Sequence, residues 1–369
     1  MATINDEDLV FHFLNVGHGD AILIGFPAVN GKRRYGLVDC NNGTKTEKYL
    51  DKLMPDPADR DRLLFICATH PHLDHIRGIN SLLNHPVYHP EWFWDSGFRY
   101  PSDNYRTILQ TISEADDIKM VRVTSGMERY FGRVRVTALA PSVRLRNRYA
   151  TYGVDSNNAS IVLRFEHHEG DILVSESIKY EEGTRTYDEV MTQAGKSVVI
   201  LAGDAEFDSW AHIVEEFPVQ HEENVEAATS QMKLLNNLST WVVKVPHHGS
   251  MHSASLDVYE KMGEPSLAIV SNKQKKGKIR IGDLEVERGK FPHPSTVNSL
   301  HETTTKILTT DGSYESEVVA GAPRDAANQD AGNIVVALPP PPGKPKYIKV
   351  PDGTGSATPP PQGAVLTIL

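Results

Sequence analysis

Short apolar runs punctuated by turn residues dominate the first third of the chain. Leu9 to Val16, Ala21 to Phe26 and Tyr35 to Asp39 are separated by Gly17-His18-Gly19-Asp20 and by a turn centred on Gly31. Runs that alternate at period two, or stay apolar throughout between Gly and Asn, read as strands joined by hairpins. Tyr49, Leu50 and Leu53 at helical spacing, with a Thr at the N-cap and Pro55 just beyond, predict a helix over 44–54. Leu63 to Ala68 reads as a buried strand. It delivers the chain into Thr69-His70-Pro71-His72-Leu73-Asp74-His75 and then a short helix through Leu83.

The theme repeats downstream. Val134 to Leu139, Ala159 to Phe165, Ser197 to Leu201 and Thr240 to Val245 are strand candidates. The third runs into Ala202-Gly203-Asp204-Ala205-Glu206 and a helix through Ile213, the fourth into Pro246-His247-His248-Gly249-Ser250. Alternating strands and helices with hairpins at the start predict an α/β architecture of mixed sheets covered by helices. Residues 321–332 read as a loop. From Pro339 the chain turns to Pro, Gly, Lys and Ser, an extended polyproline-like tail, so the expected units are a domain over 1–338 and a tail over 339–369.

Composition narrows the function. The 369 residues, 39% hydrophobic and 23% charged, suffice for a large core and exclude a disulfide-stapled miniprotein. Lys+Arg 38 against Asp+Glu 48 gives −10, so a phosphate-bearing substrate needs a local basic patch or bound cations rather than the whole-molecule field. Cys40 and Cys67 lie in apolar runs and read as buried thiols, which suits a reducing compartment. Residues 1–8 lack a signal-peptide pattern and no run approaches the ~18 apolar residues of a membrane span. A cytoplasmic protein with no membrane partner is expected.

The chemistry concentrates in His70-x-His72-x-Asp74-His75. Imidazole and carboxylate are the ligands of first-row divalent metals, and in a tight turn His70 and His72 can reach one ion while Asp74 and His75 reach a second; the alternative is a solvated polar turn. Asp204 follows an apolar strand, where it either bridges two metals or caps a helix. His247 and His248 are ligating or core-satisfied. The aromatic stretch Tyr88 to Tyr100, with Trp92, Phe93, Trp94 and Phe98, is either a wall for stacking bases or an insertion packed on the core.

Taken together, these segments resemble the metallo-β-lactamase fold and, within it, the soluble hydrolase domain of ComEC-like competence proteins. Phe13-Leu14-Asn15-Val16-Gly17-His18-Gly19-Asp20-Ala21-Ile22-Leu23-Ile24, Leu37-Val38-Asp39, Thr69 to His75, Asn157 to Leu163, Leu201 to Glu206 and Val243 to Ser250 carry the resemblance, in family order over roughly residues 9–311. It implies an αββα sandwich of two mixed sheets flanked by helices. It also implies two divalent ions, Zn or Mn: His70 and His72 on the first, Asp74, His75 and His248 on the second, and Asp204 between them, with the opposite assignment of His247 and His248 left open. Asp39 would orient a ligating His, and Asp20, Asn158 and Ser250 would support the site. The middle motif, Asp155 to Ser160, lacks the His that many metallo-β-lactamases place there, which makes the first ligand set harder and Mn²⁺ credible.

The implied activity is hydrolysis of a nucleic acid or nucleotide phosphodiester by a metal-activated hydroxide. His247, His18 or His293 would protonate the leaving oxygen, the alternative for each being a surface or hydrogen-bonded histidine, and Asp74 also belongs to the reacting centre; Arg144 with Arg146 and Arg148, and Lys275 and Lys276 within a basic run ending at Arg280, either hold phosphates or form solvated loops. Two alternatives stay open: a hydrolase of a lactam, lactone or thioester on the same metals, or a non-catalytic metal-binding interaction module. In the latter, Pro339 to Pro345 would dock on a protein partner.

Overall fold

The period-two runs become strands buried on both faces. In β1 (Leu9–Phe13), Leu9, Phe11 and Phe13 enter a core shared with a second sheet, while Val10 and His12 face the opposite way, His12 Nδ1 lying 3.0 Å from Tyr49 Oη. The computed structural model describes residues 3–145, 156–168, 197–217, 238–273, 278–281, 284–287, 291–319, 322–325, 330–352 and 358–369. Beside β1 run β2 (Ala21–Gly25), β3 (Tyr35–Cys40), β4 (Leu63–Ala68), β5 (Pro90–Asp95) and β6 (Lys119–Arg122); on its other side run β18 (Gly332–Leu338), β19 (Lys346–Pro351) and β20 (Thr367–Ile368). This sheet is antiparallel from β20 to β3 and parallel from β3 to β6.

The second sheet orders β17 (Ala322–Asp325), β16 (Glu315–Val319), β15 (Lys306–Thr309), β12 (Leu267–Val270), β11 (Val242–Lys244), β10 (Val198–Leu201), β9 (Val162–His167), β8 (Val134–Ala140) and β7 (Glu128–Phe131). Its centre, β10 to β15, is parallel and its flanks antiparallel. A separate hairpin pairs β13 (Lys278–Ile281) with β14 (Leu284–Glu287).

Aromatic contacts hold the sheets together: Phe11 meets Phe165 edge-on at 5.2 Å, and Phe65, stacked on Trp94 within its own sheet, meets Phe131 of the second sheet at 5.6 Å. Outside, α1 (Gly43–Leu53), α2 (Leu73–Ile76), α3 (Ile79–Leu83) and α4 (Asp103–Glu114) cover the first sheet through Tyr49, Leu50, Ile76, Ile79 and Ile108. The second is covered by α5 (Phe207–Glu216), α6 (Leu256–Lys261) and α7 (Pro294–Thr303), through Trp210, Ile213, Val258 and Leu300. The αββα layering expected from the sequence is the layering observed. Among the described residues no helix is long and apolar enough to cross a membrane.

Several local expectations change. Asn42, not a Thr, caps α1, its side chain accepting from the Lys45 amide at 3.0 Å. The single helix expected after His75 is two short ones with Gly78 between, where a Cβ would strike the Gly43 backbone. Residues 156–159 form a 3₁₀ turn and β9 begins only at Val162. The expected loop over 321–332 contains β17 and the start of β18, residues 326–329 lying outside the described set.

The largest change concerns the tail. Pro339 to Pro345 form the connection between two paired strands, with Gly343 N bonded to Pro340 O at 3.0 Å, and the run that follows is β19, in register with β18 from Lys346 to Pro351. Lys346 Nζ lies 2.8 Å from Asp8 Oδ2, Lys349 pairs with Glu315, and Asp352 receives Lys45 at 3.0 Å and Asn15 at 2.8 Å. Alternating Tyr347 and its neighbours against β18 satisfy the sheet edge that the proline-rich composition concealed. Deleting 340–369 should therefore leave β18 as a bare edge and remove Lys346 from Asp8 and Lys349 from Glu315. The expected result is loss of soluble folded protein, read by circular dichroism and gel filtration; a monodisperse, folded truncation would contradict it.

Candidate metal centre

Parallel strands from both sheets end on the same side, and their carboxyl-end turns carry the polar residues, the usual location of sites in α/β sheets. After β4 come Thr69, His70 and His72, then Asp74 and His75 on α2; after β10 comes Asp204; after β11 come His247 and His248. Gly203, at φ +52°, makes the approach possible: a Cβ there would lie 3.1 Å from Thr69 Cβ and 3.2 Å from the Ile161 carbonyl oxygen. Gly19, at φ +131°, does the same for the His18–Asp20 turn, since a Cβ would collide with the Asp74 carbonyl. His247 and His248 both take left-handed backbone conformations, at φ 45° and 51°, a strain of about 1–3 kcal/mol each of the kind that collects at functional sites.

Asp204 Oδ2 is the focus. His75 Nε2 lies 3.1 Å from it, His248 Nε2 3.6 Å, His70 Nε2 3.9 Å and His247 Nε2 4.0 Å. Asp74 Oδ2 lies 3.7 Å from His248 Nε2 and 3.9 Å from His18 Nε2. His70, His75, Asp204 and His248 are buried.

Hydrogen bonds on the far side of each ring fix which nitrogen faces this centre. His248 Nδ1 donates to the Ser271 carbonyl at 2.6 Å, and His75 Nδ1 to Asp39 Oδ2 at 2.7 Å. Thr69 Oγ1 donates to Asp39 Oδ2 at 2.8 Å and so accepts from His70 Nδ1 at 3.2 Å. All three imidazoles then turn Nε2 inward, and those atoms have no hydrogen-bond partner. Buried acceptors converging on a carboxylate in this way fit a divalent cation, and outer partners of this kind are what orient metal-binding histidines. Among the described residues, four groups of donor atoms lie within 4.8 Å of one another: His70-His75-Asp204, His18-Asp74-His248, Asp20-Asp204-His248 and Asp20-Asp39-His75.

The titration behaviour agrees with a cation-seeking site. Burial pushes the Asp204 carboxyl upward, but His75, His248 and Lys244 outweigh it and hold it well below the usual carboxylate range. Burial draws His75 down, yet the flanking Asp204 and Asp39 raise it well above an ordinary imidazole. A proton and a metal compete for His75 Nε2, so metal uptake releases a proton and strengthens as pH rises. Burial lowers His70 and His248, keeping them neutral and able to coordinate.

Not every expected residue joins this cluster. His72 Nε2 points to Ser156 Oγ at 2.5 Å and its ring meets Tyr100 at 5.2 Å, so the group around His70 is completed by His75 and Asp204 instead. His18, expected as a proton donor, sits within a ligand group. His248 is the inward member of its pair, while His247 is partly exposed and held by Glu206, 2.7 Å from Nδ1. His293 caps α7, accepting from the Ser295 amide at 3.3 Å. Asn158 accepts from the Ser209 amide at the start of α5, and Ser250 Oγ from the His252 amide, both local structural bonds. Asp20 lies 2.5 Å from Lys244 Nζ. Arg144 is exposed and paired with Glu215 at 3.0 Å. Lys275, Lys276, Arg146 and Arg148 lie outside the described residues. Of the aromatic stretch, Tyr88, Phe93, Trp94 and Phe98 are buried and only Tyr100 reaches the site.

Lys244, Glu206, Asn157 and Ser156 are not singled out by the sequence patterning. Lys244 carries a usable signal, a lone charge inside Trp241-Val242-Val243-Lys244-Val245. Glu206 joins His247 to Asn157, whose Nδ2 donates to it at 3.1 Å.

No family model matches the chain, and no curated protein matches it. Solved structures that resemble it include the metallo-β-lactamase fold protein YhfI from Bacillus subtilis, at 11% identity and TM-score 0.38 over 82% of this chain and 96% of that one. A long-form RNase Z from yeast aligns at 11% identity and TM-score 0.37 over 84% of this chain and 42% of that one. A diphosphatase of the PhnP family aligns at 10% identity and TM-score 0.32 over 72% and 87% respectively.

Asp39 ties two of the three imidazoles in place from a left-handed backbone position, φ 56°. Asp39→Ala is expected to weaken metal binding about 10–100-fold, measured by chelator competition; unchanged affinity would show that Asp39 serves only the fold.

Proposed function

We propose that this chain is a metal-dependent phosphodiesterase or nuclease of the ComEC-like type, working on a nucleic acid or nucleotide with two divalent ions, Zn or Mn. The observation that carries the reading is the convergence of three tautomer-fixed imidazole nitrogens on one buried carboxylate oxygen. His70, His75 and Asp204 would hold one ion and His18, Asp74 and His248 the other, the groups adjoining across the 3.6 Å from His248 to Asp204. When bound, such a pair lowers the pKa of water towards neutrality and offsets charge developing on a phosphoryl oxygen.

The chain's own residues supply the rest. His247 is placed to protonate the leaving oxygen: it is partly exposed at the mouth of the site, and although burial pulls its pKa down, Glu206 and Asp204 raise it above an ordinary imidazole. Glu206 keeps Nδ1 engaged, leaving Nε2 towards the centre. Tyr100 lies between His72 and a cavity of about 910 Å³ lined by Arg99, Tyr105, Arg122, Leu109 and Met120. Aromatic and guanidinium groups beside apolar walls suit the base and phosphates of a nucleotide unit.

Elemental analysis should find two metal ions per chain, and the protein should cleave bis-p-nitrophenyl phosphate under Mn²⁺ or Zn²⁺. Asp204→Asn should lose both metal and turnover. His247→Gln should keep its metal and lose about 10²-fold or more in kcat. A metal-free protein, or cleavage that survives Asp204→Asn, would refute the assignment. Tyr100→Ala should raise KM for a dinucleotide about tenfold with kcat little changed; an unaltered KM would remove the cavity from the substrate path.

A further inference from the structure

Lys244 is 0% exposed. It ends β11 beneath the metal-ligand groups, and its Nζ lies 2.5 Å from Asp20 Oδ2, 2.9 Å from the Gly203 carbonyl oxygen and 3.7 Å from Asp204 Oδ1. Two carboxylates and a backbone carbonyl are oxygen donors of the kind that hard cations collect. Asp20 also belongs to two of the four donor groups, one with Asp204 and His248, the other with Asp39 and His75. By donor type and spacing alone Asp20 would therefore be a metal ligand. An ammonium already touches it.

We propose that Lys244 is a resident cation of the centre, standing where a third metal ion would otherwise bind. This rests on the reading of the site as a metal centre. The ammonium claims Asp20 and one oxygen of Asp204, leaving Asp204 Oδ2 to the imidazole side. In this way it limits the centre to two metal ions. A compact ammonium with three rotatable donors suits a position ringed by Asp20, Gly203 and Asp204, whereas a planar guanidinium demands a fork of acceptors. Charge balance points the same way: Asp20 and Asp204 are buried, and a buried carboxylate without a cation is costly. Lys244 also joins the β1–β2 turn of the first sheet to the strand ends of the second, so it positions Asp204 relative to α2 without touching a substrate.

The test reads metal count rather than turnover: equilibrium dialysis of the full chain against Mn²⁺, followed by elemental analysis, with folding checked by circular dichroism. Asp20→Asn should keep the parent number of ions, because the proposal makes Asp20 a partner of the ammonium and not a metal ligand. Lys244→Ala should gain one ion per chain, and Lys244→Ala combined with Asp20→Asn should return to the parent number. Loss of an ion in Asp20→Asn would make Asp20 a ligand and overturn the proposal. So would a folded Lys244→Ala that holds only the parent number. If Lys244→Ala does not fold, Asp20→Asn alone decides. A parent chain without metal overturns the metal-centre reading and this proposal together, whereas two ions in the parent and fewer in Asp20→Asn overturn only the role of Lys244.

Discussion

The Asp204 carboxylate, buried and faced by the Nε2 atoms of three imidazoles, is the constraint around which the rest is organised. Acceptors do not converge in a protein interior without positive charge to justify them. Each ring is held from behind, His75 by Asp39, His70 by Thr69 and through it Asp39, His248 by the Ser271 carbonyl. Asp39 thus sets the orientation of two rings from one carboxylate, and its left-handed backbone turns that carboxylate back against the end of β4. Rigid strand ends, rather than long loops, carry most of these groups, which is how a centre with sub-ångström requirements can be reproducible.

Two sheets must meet at their parallel edges for this to happen. The inter-sheet core that includes Phe11 against Phe165 and Phe65 against Phe131 packs the two sheets face to face, and Gly203 lets the ends of β4 and β10 approach closely. Lys244 adds an electrostatic tie between the same two layers. Backbone strain at His247 and His248 is tolerated because the surrounding packing fixes it: His248 is buried and hydrogen-bonded, and the His247 amide is bonded to the Gly203 carbonyl at 3.1 Å. The paired left-handed residues divide the labour of neighbouring imidazoles, one facing the carboxylates inside and one facing the opening.

Local pattern in the chain determined a good deal. Apolar runs of the right length gave β1 to β4 and β8, because burial on both faces of a sheet leaves a continuous apolar signature, and the His/Asp-rich turn after β4 announced its chemistry by residue type alone. Asp204 and His248 were legible as strand-terminal candidates for the same reason. The 339–369 segment reads as a tail because proline-rich composition marks extended backbone but does not say whether another strand is present to pair with it; β18 is.

What only the tertiary structure decided is which side chains share a point in space. Residues 18, 74 and 248, or 70, 75 and 204, are grouped by the convergence of two sheets, a relation that no local spacing encodes. His72, two positions from both His70 and Asp74, turns to Ser156 because the 3₁₀ turn before β9 packs there, while Lys244, in an apolar strand and assigned no role by the sequence, becomes part of the charge balance because it reaches Asp20. Periodicity fixes the face on which a side chain leaves its own strand. The direction of a ring nitrogen depends on partners drawn from other strands, and those exist only once the sheets have packed.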